Sequence, residues 1–307
     1  MPVAVVAMAL HQHVGVLDAV WLAVLGLGAG WLGAVVGIGG GVVIVPALVL
    51  AFGLDTKVAV AASLVAVVAT SAAAGSAYVG AGQTNMRLAL VLEIATTLGG
   101  LTGGLVAVVL AGSVIDVLFA VVMLVTATLV FRGRKEEAAT PAAEDTGVPA
   151  VQGLGGRVGW EERGHLGGAY HDQRRGVLVT YRAVHLWIGW AVSFVAGLLS
   201  GLLGVGGGFL KVPAMNLGMK VPIKVAAATS NFMIGVTAVA SLFVYFARGF
   251  VLPYVAAPVA LGVAAGAYVG ARSSQRVSSR ALGRILAGVL VVVAIQMGLK
   301  AAGITNV

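Results

Sequence analysis

The sequence predicts an all-α polytopic membrane protein made of two inverted repeats, each a broken or hairpin helix element plus three transmembrane helices. Three observations carry that prediction. Of 307 residues, 60% are hydrophobic and 10% charged, with a mean hydropathy of +1.04, whereas soluble domains carry roughly 25% charged residues. A glycine cluster is written twice, as Gly37-Ile-Gly39-Gly40-Gly41 and Gly204-Val-Gly206-Gly207-Gly208, each inside an apolar stretch and each followed by a proline, Pro46 and Pro213. Finally, the basic residues fall in bands between apolar segments.

The spans follow from length. A hydrocarbon core of about 30 Å takes roughly 20 apolar residues per helix. Residues 57–80, 87–111 and 114–131 meet that length, as do 224–247, 252–272 and 281–302. Two segments, Val16 to Gly53 and Val184 to Leu217, are too long; at 1.5 Å per residue each exceeds about 50 Å as one straight helix. Each glycine cluster divides its segment into a near-spanning piece and a shorter one, with Pro46 and Pro213 as the accompanying helix-break residues.

The clusters are 167 residues apart, and the same displacement superposes much else. Gly30 meets Gly197, Lys57 meets Lys224, Ser63 meets Ser230, Thr70 meets Thr237, and Tyr78 meets Tyr245. Gly99 and Gly103 meet Gly266 and Gly270 without a gap. The chain therefore reads as a first transmembrane repeat over 1–131, a cytoplasmic linker loop over 132–181 and a second repeat over 182–307. Seven of the eleven acidic residues lie between Glu136 and Asp172, within that loop. Its composition reads as a tether, with Trp160, His165, Tyr170 and His171 as the seed of any ordered patch.

The cations choose a topology. If each broken segment returns to its starting side, fifteen Lys and Arg share one face, three (Lys57, Arg248 and Lys300) lie on the other, and Lys211 sits in the membrane. If each crosses once, the split is eleven against seven. The positive-inside rule favours the first scheme. Its three crossings per half invert the second repeat relative to the first, which is the architecture of alternating-access carriers.

Several chemistries are excluded at this level. The chain has no cysteine, so thiolate catalysis and thiolate metal sites are absent, and no H-E-x-x-H motif occurs. No metal, no cofactor and no enzymatic activity are expected. Net charge +8 is accounted for by residues flanking the spans, where they meet lipid headgroups, and not by nucleic acid. Gly28-Ala-Gly30-Trp-Leu-Gly33 satisfies G-x-G-x-x-G but lacks the preceding strand that dinucleotide binding needs. These glycines fit close helix packing instead, as do Gly99 with Gly103, Gly197 with Gly201 and Gly266 with Gly270. The N-terminus lacks a basic n-region and is read as part of the mature protein.

The remaining residues define a candidate anion site. Gly37, Gly39, Gly40 and Gly41, with Gly204, Gly206, Gly207 and Gly208, leave backbone N–H groups unobstructed by side chains, and the helix starting after each break turns its positive end toward an anion. Ser63 and the run Thr229-Ser230-Asn231 stand at the start of the next helix in each half and offer polar groups in lipid. Lys211, where the first half has Ile44, either supplies counter-charge or snorkels its stem to the headgroups. Glu93, where the second half has Ala260, is the candidate coupling residue for H+ or Na+, a partner for Lys211, or an interfacial residue near Arg87.

The doubled G-x-G-G-G and proline pattern, followed by a Lys-x-Ala-x-Ala-[Ala/Thr]-Ser run, resembles the sulfite exporter TauE/SafE family of bacterial membrane permeases. The resemblance covers both halves. The family's Gly-Thr-Ser-Leu run is altered here to Ala61-Ala62-Ser63-Leu64 and Ala228-Thr229-Ser230-Asn231. It implies transport of small anions, notably sulfite and organosulfonates such as sulfoacetate, across the cell membrane. The expected partners are a small anionic substrate and the lipid bilayer. An anion channel of the same architecture is the alternative.

Overall fold

A computed structural model describes residues 15–139, 166–172, 177–273 and 279–301. Trp160 and His165 lie outside them, as do the side chains of Tyr170 and His171. The first half runs α1 (Val16–Val36), α2 (Gly41–Ala51), α3 (Thr56–Gly80), α4 (Met86–Val109) and α5 (Gly112–Ala139). After a β-hairpin, β1 (Gly168–Asp172) and β2 (Val177–Tyr181), come α6 (Leu186–Leu203), α7 (Gly208–Pro213) with one π turn (Ala214–Gly218), α8 (Ile223–Ala247), α9 (Pro253–Ser273) and α10 (Ser279–Ala301). The architecture is thus the expected all-helical one with a small antiparallel addition in the connecting segment.

Among the described residues six helices, α1, α3, α4, α6, α8 and α9, are long and apolar enough to cross a membrane. Among the described residues α5 and α10 carry shorter apolar stretches, Gly112–Thr128 and Leu290–Lys300, and pack on each other. Large apolar side chains such as Leu261 and Phe243 remain exposed outside the bundle, as expected of a surface solvated by lipid.

Glycine makes the chain turn where it does. Gly37, Gly39 and Gly40 have φ of 84°, 86° and 72°, and Gly204, Gly206 and Gly207 have 70°, 80° and 70°, a region that residues with a Cβ rarely enter. The turn doubles the chain back, so a Cβ on Gly40 would lie 2.9 Å from the Ala29 carbonyl oxygen and one on Gly207 would lie 2.6 Å from that of Ala196. After each turn, eleven residues of helical backbone follow, Gly41–Ala51 and Gly208–Gly218, about half the thickness of a bilayer core.

The prolines do not make the breaks. Pro46 lies inside α2, which continues through it to Ala51, and Pro213 ends α7 where the π turn begins. Pro46 stands only one turn past the start of α2, so it removes a single helical hydrogen bond.

The halves interlock. α1 packs on α9 of the other half, and α6 packs on α4; α3 and α8 meet centrally. The crossing helices approach to backbone contact through glycine. A Cβ on Gly262, Gly266 or Gly30 would collide with the backbone of Ala23, Leu27 or Val263 between α1 and α9. A Cβ on Gly99, Gly103, Gly197 or Gly201 would do the same against Phe194, Leu198, Thr96 or Gly100 between α4 and α6. Paired tyrosines fasten each half within itself: Tyr78 OH of α3 donates to the Ala34 carbonyl of α1 at 3.1 Å, and Tyr245 OH of α8 to the Gly201 carbonyl of α6 at 3.0 Å.

Each end of the bundle has its own fastening. At one, Thr56 Oγ1 donates to Asp116 Oδ1 at 2.7 Å, Lys300 Nζ lies 3.6 Å from Asp116 Oδ2, and Lys57 Nζ donates to the Val108 carbonyl and sits 5.7 Å from the Phe250 ring. At the other, Asn85 Nδ2 donates to Tyr181 OH at 3.0 Å and the Val184 N–H to the Met219 carbonyl at 3.1 Å. Leu166, Tyr181 and Ala183 pack on an apolar cluster that includes Leu88, Leu92, Met215 and Met219. The part of the connecting segment that is described is therefore docked on the bundle.

Candidate functional site

The two breaks face each other reciprocally at the middle of α3 and α8. A Cβ on Gly41 would collide with the Gly204 carbonyl oxygen, and one on Gly208 with the Gly37 carbonyl oxygen. Val67 and Ile234, each near the midpoint of its helix, close over the junction. A Cβ on Gly39 would lie 2.7 Å from Ile234 Cδ1, and one on Gly206 would lie 3.2 Å from Val67 Cγ1 and 3.3 Å from the Ile38 carbonyl oxygen. All eight glycines singled out in the sequence thus belong to one central junction.

Its two sides are chemically unlike. In the first break the N–H groups of Gly37, Ile38 and Gly39 all donate to the Gly33 carbonyl, and that of Gly41 to Gly39. In the second, Gly204 N–H reaches the Ser200 carbonyl, but among the described residues the N–H groups of Val205, Gly206 and Gly207, like that of Gly40 in the first, meet no backbone acceptor. Ser63 Oγ donates to the Gly204 carbonyl at 2.7 Å, whereas the equivalent Ser230 Oγ is buried without a partner. Ser200 Oγ and Asn231 Oδ1 are also buried and unpartnered, although Asn231 Nδ2 reaches the Ala34 carbonyl at 3.4 Å. Unfilled polar groups inside apolar protein are rare enough to require a reason.

Lys211 lies one turn past the second break, 1% exposed, where the first half buries Ile44. Its Nζ donates to Thr237 Oγ1 at 3.2 Å, and Thr237 Oγ1 donates to Glu93 Oε1 at 2.8 Å. Glu93 is 7% exposed and also accepts from Thr97 Oγ1 at 3.3 Å, while its Oε2 has no partner. The structure therefore brings Lys211 and Glu93 to one locus. Thr229, by contrast, is used structurally, its Oγ1 accepting from the Asn85 N–H at 3.0 Å.

Two participants were not singled out in the sequence. Thr237 stood out only as the repeat partner of Thr70, although it lies two helical turns beyond Ser230 on the same side of α8. Asp116 is a second buried carboxylate, 4% exposed, and it serves the fastening at the bundle end rather than the central site. No group of three or more His, Cys, Asp or Glu able to hold a metal ion occurs among the described residues.

Among the described residues, six helices long and apolar enough to cross a membrane mark a polytopic membrane protein, and comparison with known proteins gives its class. The model of the sulfite exporter TauE/SafE family matches residues 22–297, and the chain belongs to that family. It is similar to a probable membrane transporter protein, YunE, of Bacillus subtilis, with 31% identity over 69% of this chain and 72% of that protein. It is also similar to a probable membrane transporter protein of Xylella fastidiosa, with 27% identity over 69% of this chain and 66% of that one. No solved structure matches. The protein is accordingly a multi-pass cell-membrane transporter, in a family described by transport and not by catalysis.

Proposed function

We propose that the protein is a secondary carrier of a small sulfur-containing oxyanion or carboxylate, sulfite or an organosulfonate such as sulfoacetate, working by alternating access around the central junction. The observation that carries this reading is Lys211: a cation buried to 1% exposure, one turn from a break whose Gly206 and Gly207 N–H groups are unfilled. A buried cation and convergent donors favour an anion over a neutral or cationic substrate. Ser230 and Asn231 add polar atoms from α8, and Gly37, Gly39, Gly40 and Gly41 form the opposite wall. The family's description as sulfite exporters supports the substrate class.

The inverted repeat is part of the same proposal. Contacts that gather Lys57, Phe250, Asp116 and Lys300 at one end of the bundle fit the scheme in which each broken segment returns to its starting side. The interlocked packing changes which parts would rock. α1 with α9 and α4 with α6 each combine both halves, so the moving bodies are these mixed pairs rather than residues 1–131 against 182–307.

The test is uptake of radiolabelled sulfite and sulfoacetate into proteoliposomes by the wild type and by Gly206→Leu and Lys211→Ala. Both variants are expected to lose at least about tenfold in rate, the effect of removing roughly 1.4 kcal/mol of binding. Wild-type rates in both would refute the site. Throughput far above carrier rates, seen as single-channel current, would identify an anion channel instead.

A further inference from the structure

The connection between Lys211 and Glu93 asks for more than counter-charge. Thr237 Oγ1 stands between them, accepting from Lys211 Nζ at 3.2 Å and donating to Glu93 Oε1 at 2.8 Å. The three residues come from α7, α8 and α4. The other half repeats only the hydroxyl: Ile44 replaces the lysine and Ala260 the carboxylate, while Thr70 Oγ1 reaches the Ala66 carbonyl at 3.0 Å as Thr237 Oγ1 reaches that of Met233 at 3.2 Å. The fold is thus built once without the charged pair, so the pair is not needed to form the bundle.

Few other ionisable groups face it. α6, which packs on both α4 and α7, has none between Leu186 and Leu203, and the π turn Ala214–Gly218 has none either. α8 contributes Lys224 near its start and Tyr245, whose hydroxyl is engaged by the Gly201 carbonyl. α4 contributes Arg87 at its exposed start. A structural ion pair would have its lone pairs filled, yet Glu93 Oε2 is buried with no partner.

We propose that Lys211, Thr237 and Glu93 form a proton relay that couples anion passage to the co-movement of one proton, an inference that rests on the anion-carrier reading above. The triad is neutral both as ammonium facing carboxylate and as amine facing carboxylic acid, and the two forms hold the same protons. Conversion breaks one Nζ–H bond as that proton bonds to Thr237 Oγ1, while the original Thr237 proton passes to Glu93 Oε1. An anion entering the junction brings negative charge to Lys211. One proton from the same aqueous side, taken up at Glu93 Oε2, offsets one unit of that charge, and anion and proton then leave together.

The experiment uses the full chain in liposomes held at zero membrane potential, with radiolabelled sulfoacetate, whose sulfonate and carboxylate are both ionised near pH 7. Two readouts are taken: exchange at equal pH, and accumulation when the outside is more acid. The wild type should exchange and should accumulate about tenfold per pH unit, the concentration ratio equivalent to a one-unit proton gradient. Glu93→Gln should keep exchange and lose accumulation. Thr237→Val should do the same, with Thr237→Ser restoring coupling, which serves if Glu93→Gln does not fold. Wild-type exchange indifferent to the pH gradient, or accumulation persisting in Glu93→Gln, would overturn the relay. Absence of wild-type exchange with both sulfoacetate and sulfite would defeat the anion reading itself, and the relay with it.

Discussion

Ser63 Oγ donates a 2.7 Å hydrogen bond to the Gly204 carbonyl, so α3 of the first half holds the second break in place. The equivalent Ser230 Oγ is buried and free of any such bond. One residue of a repeated pair is thus spent on structure, and the other remains available to a ligand.

Stability and binding should therefore separate between the two serines. Removing Ser63 strands a buried carbonyl, which costs about 1–3 kcal/mol. Ser63→Ala should lower the melting temperature in detergent clearly, whereas Ser230→Ala should leave it nearly unchanged. The second variant should instead reduce the thermal stabilisation that added sulfite or sulfoacetate confers. Equal melting temperatures for the two variants would contradict the assignment.

Charge pairing at the centre makes a second expectation. Lys211→Met leaves Glu93 buried beside no cation, a loss of roughly 3–5 kcal/mol for a broken buried pair. Adding Glu93→Gln in the same chain should recover most of that stability without recovering transport. Thermal unfolding of the two single variants and the double variant measures the coupling directly.

Glycine positions divide sharply by what faces them. Gly266→Leu in α9 drives a side chain into the Leu27 backbone of α1, and Gly103→Leu drives one into Leu198 of α6. Both should abolish a monodisperse folded species on size-exclusion chromatography. Gly28→Ala is the matched control, because nothing lies within 4 Å of its Cβ position. It should be tolerated, with a gain of up to about 1 kcal/mol from helix propensity.

Inversion of the repeats is open to a direct chemical test because the chain has no cysteine. Ala81 and Arg248 occupy equivalent positions after α3 and α8, and both are exposed. Single cysteines there should react oppositely with a membrane-impermeant thiol reagent applied to intact cells: Arg248→Cys is labelled from outside, and Ala81→Cys only after permeabilisation. Labelling of both from one side would show the repeats to be parallel.

Much of this was legible in the sequence, and what was not has a common cause. The breaks are visible because glycine is the residue that a left-handed backbone requires, and the repeat because its glycines and tyrosines kept their spacing. Thr237 escaped notice as a bridge because its partner Glu93 lies 144 residues away on a helix of the other half. Asp116 escaped for the same reason, its cation Lys300 coming from the last turn of α10. Pro46 misled in the opposite direction, since a proline one turn into a helix is compatible with it continuing. The strands Gly168–Asp172 and Val177–Tyr181 read as tether in the sequence because five-residue strands in a glycine-rich segment leave little periodic signal.

The exchange of α1 and α6 between halves bears on how such a chain could have arisen. A single half on its own has α1 and α4 with their glycine-lined surfaces uncovered, since the helices that fill them are α9 and α6 of the other half. Each half completes its neighbour rather than itself. Helices of both halves are therefore needed to cover either one. Lys211 and Glu93 each stand in one half only, opposite Ile44 and Ala260, an asymmetry that a dimer of identical chains could not carry.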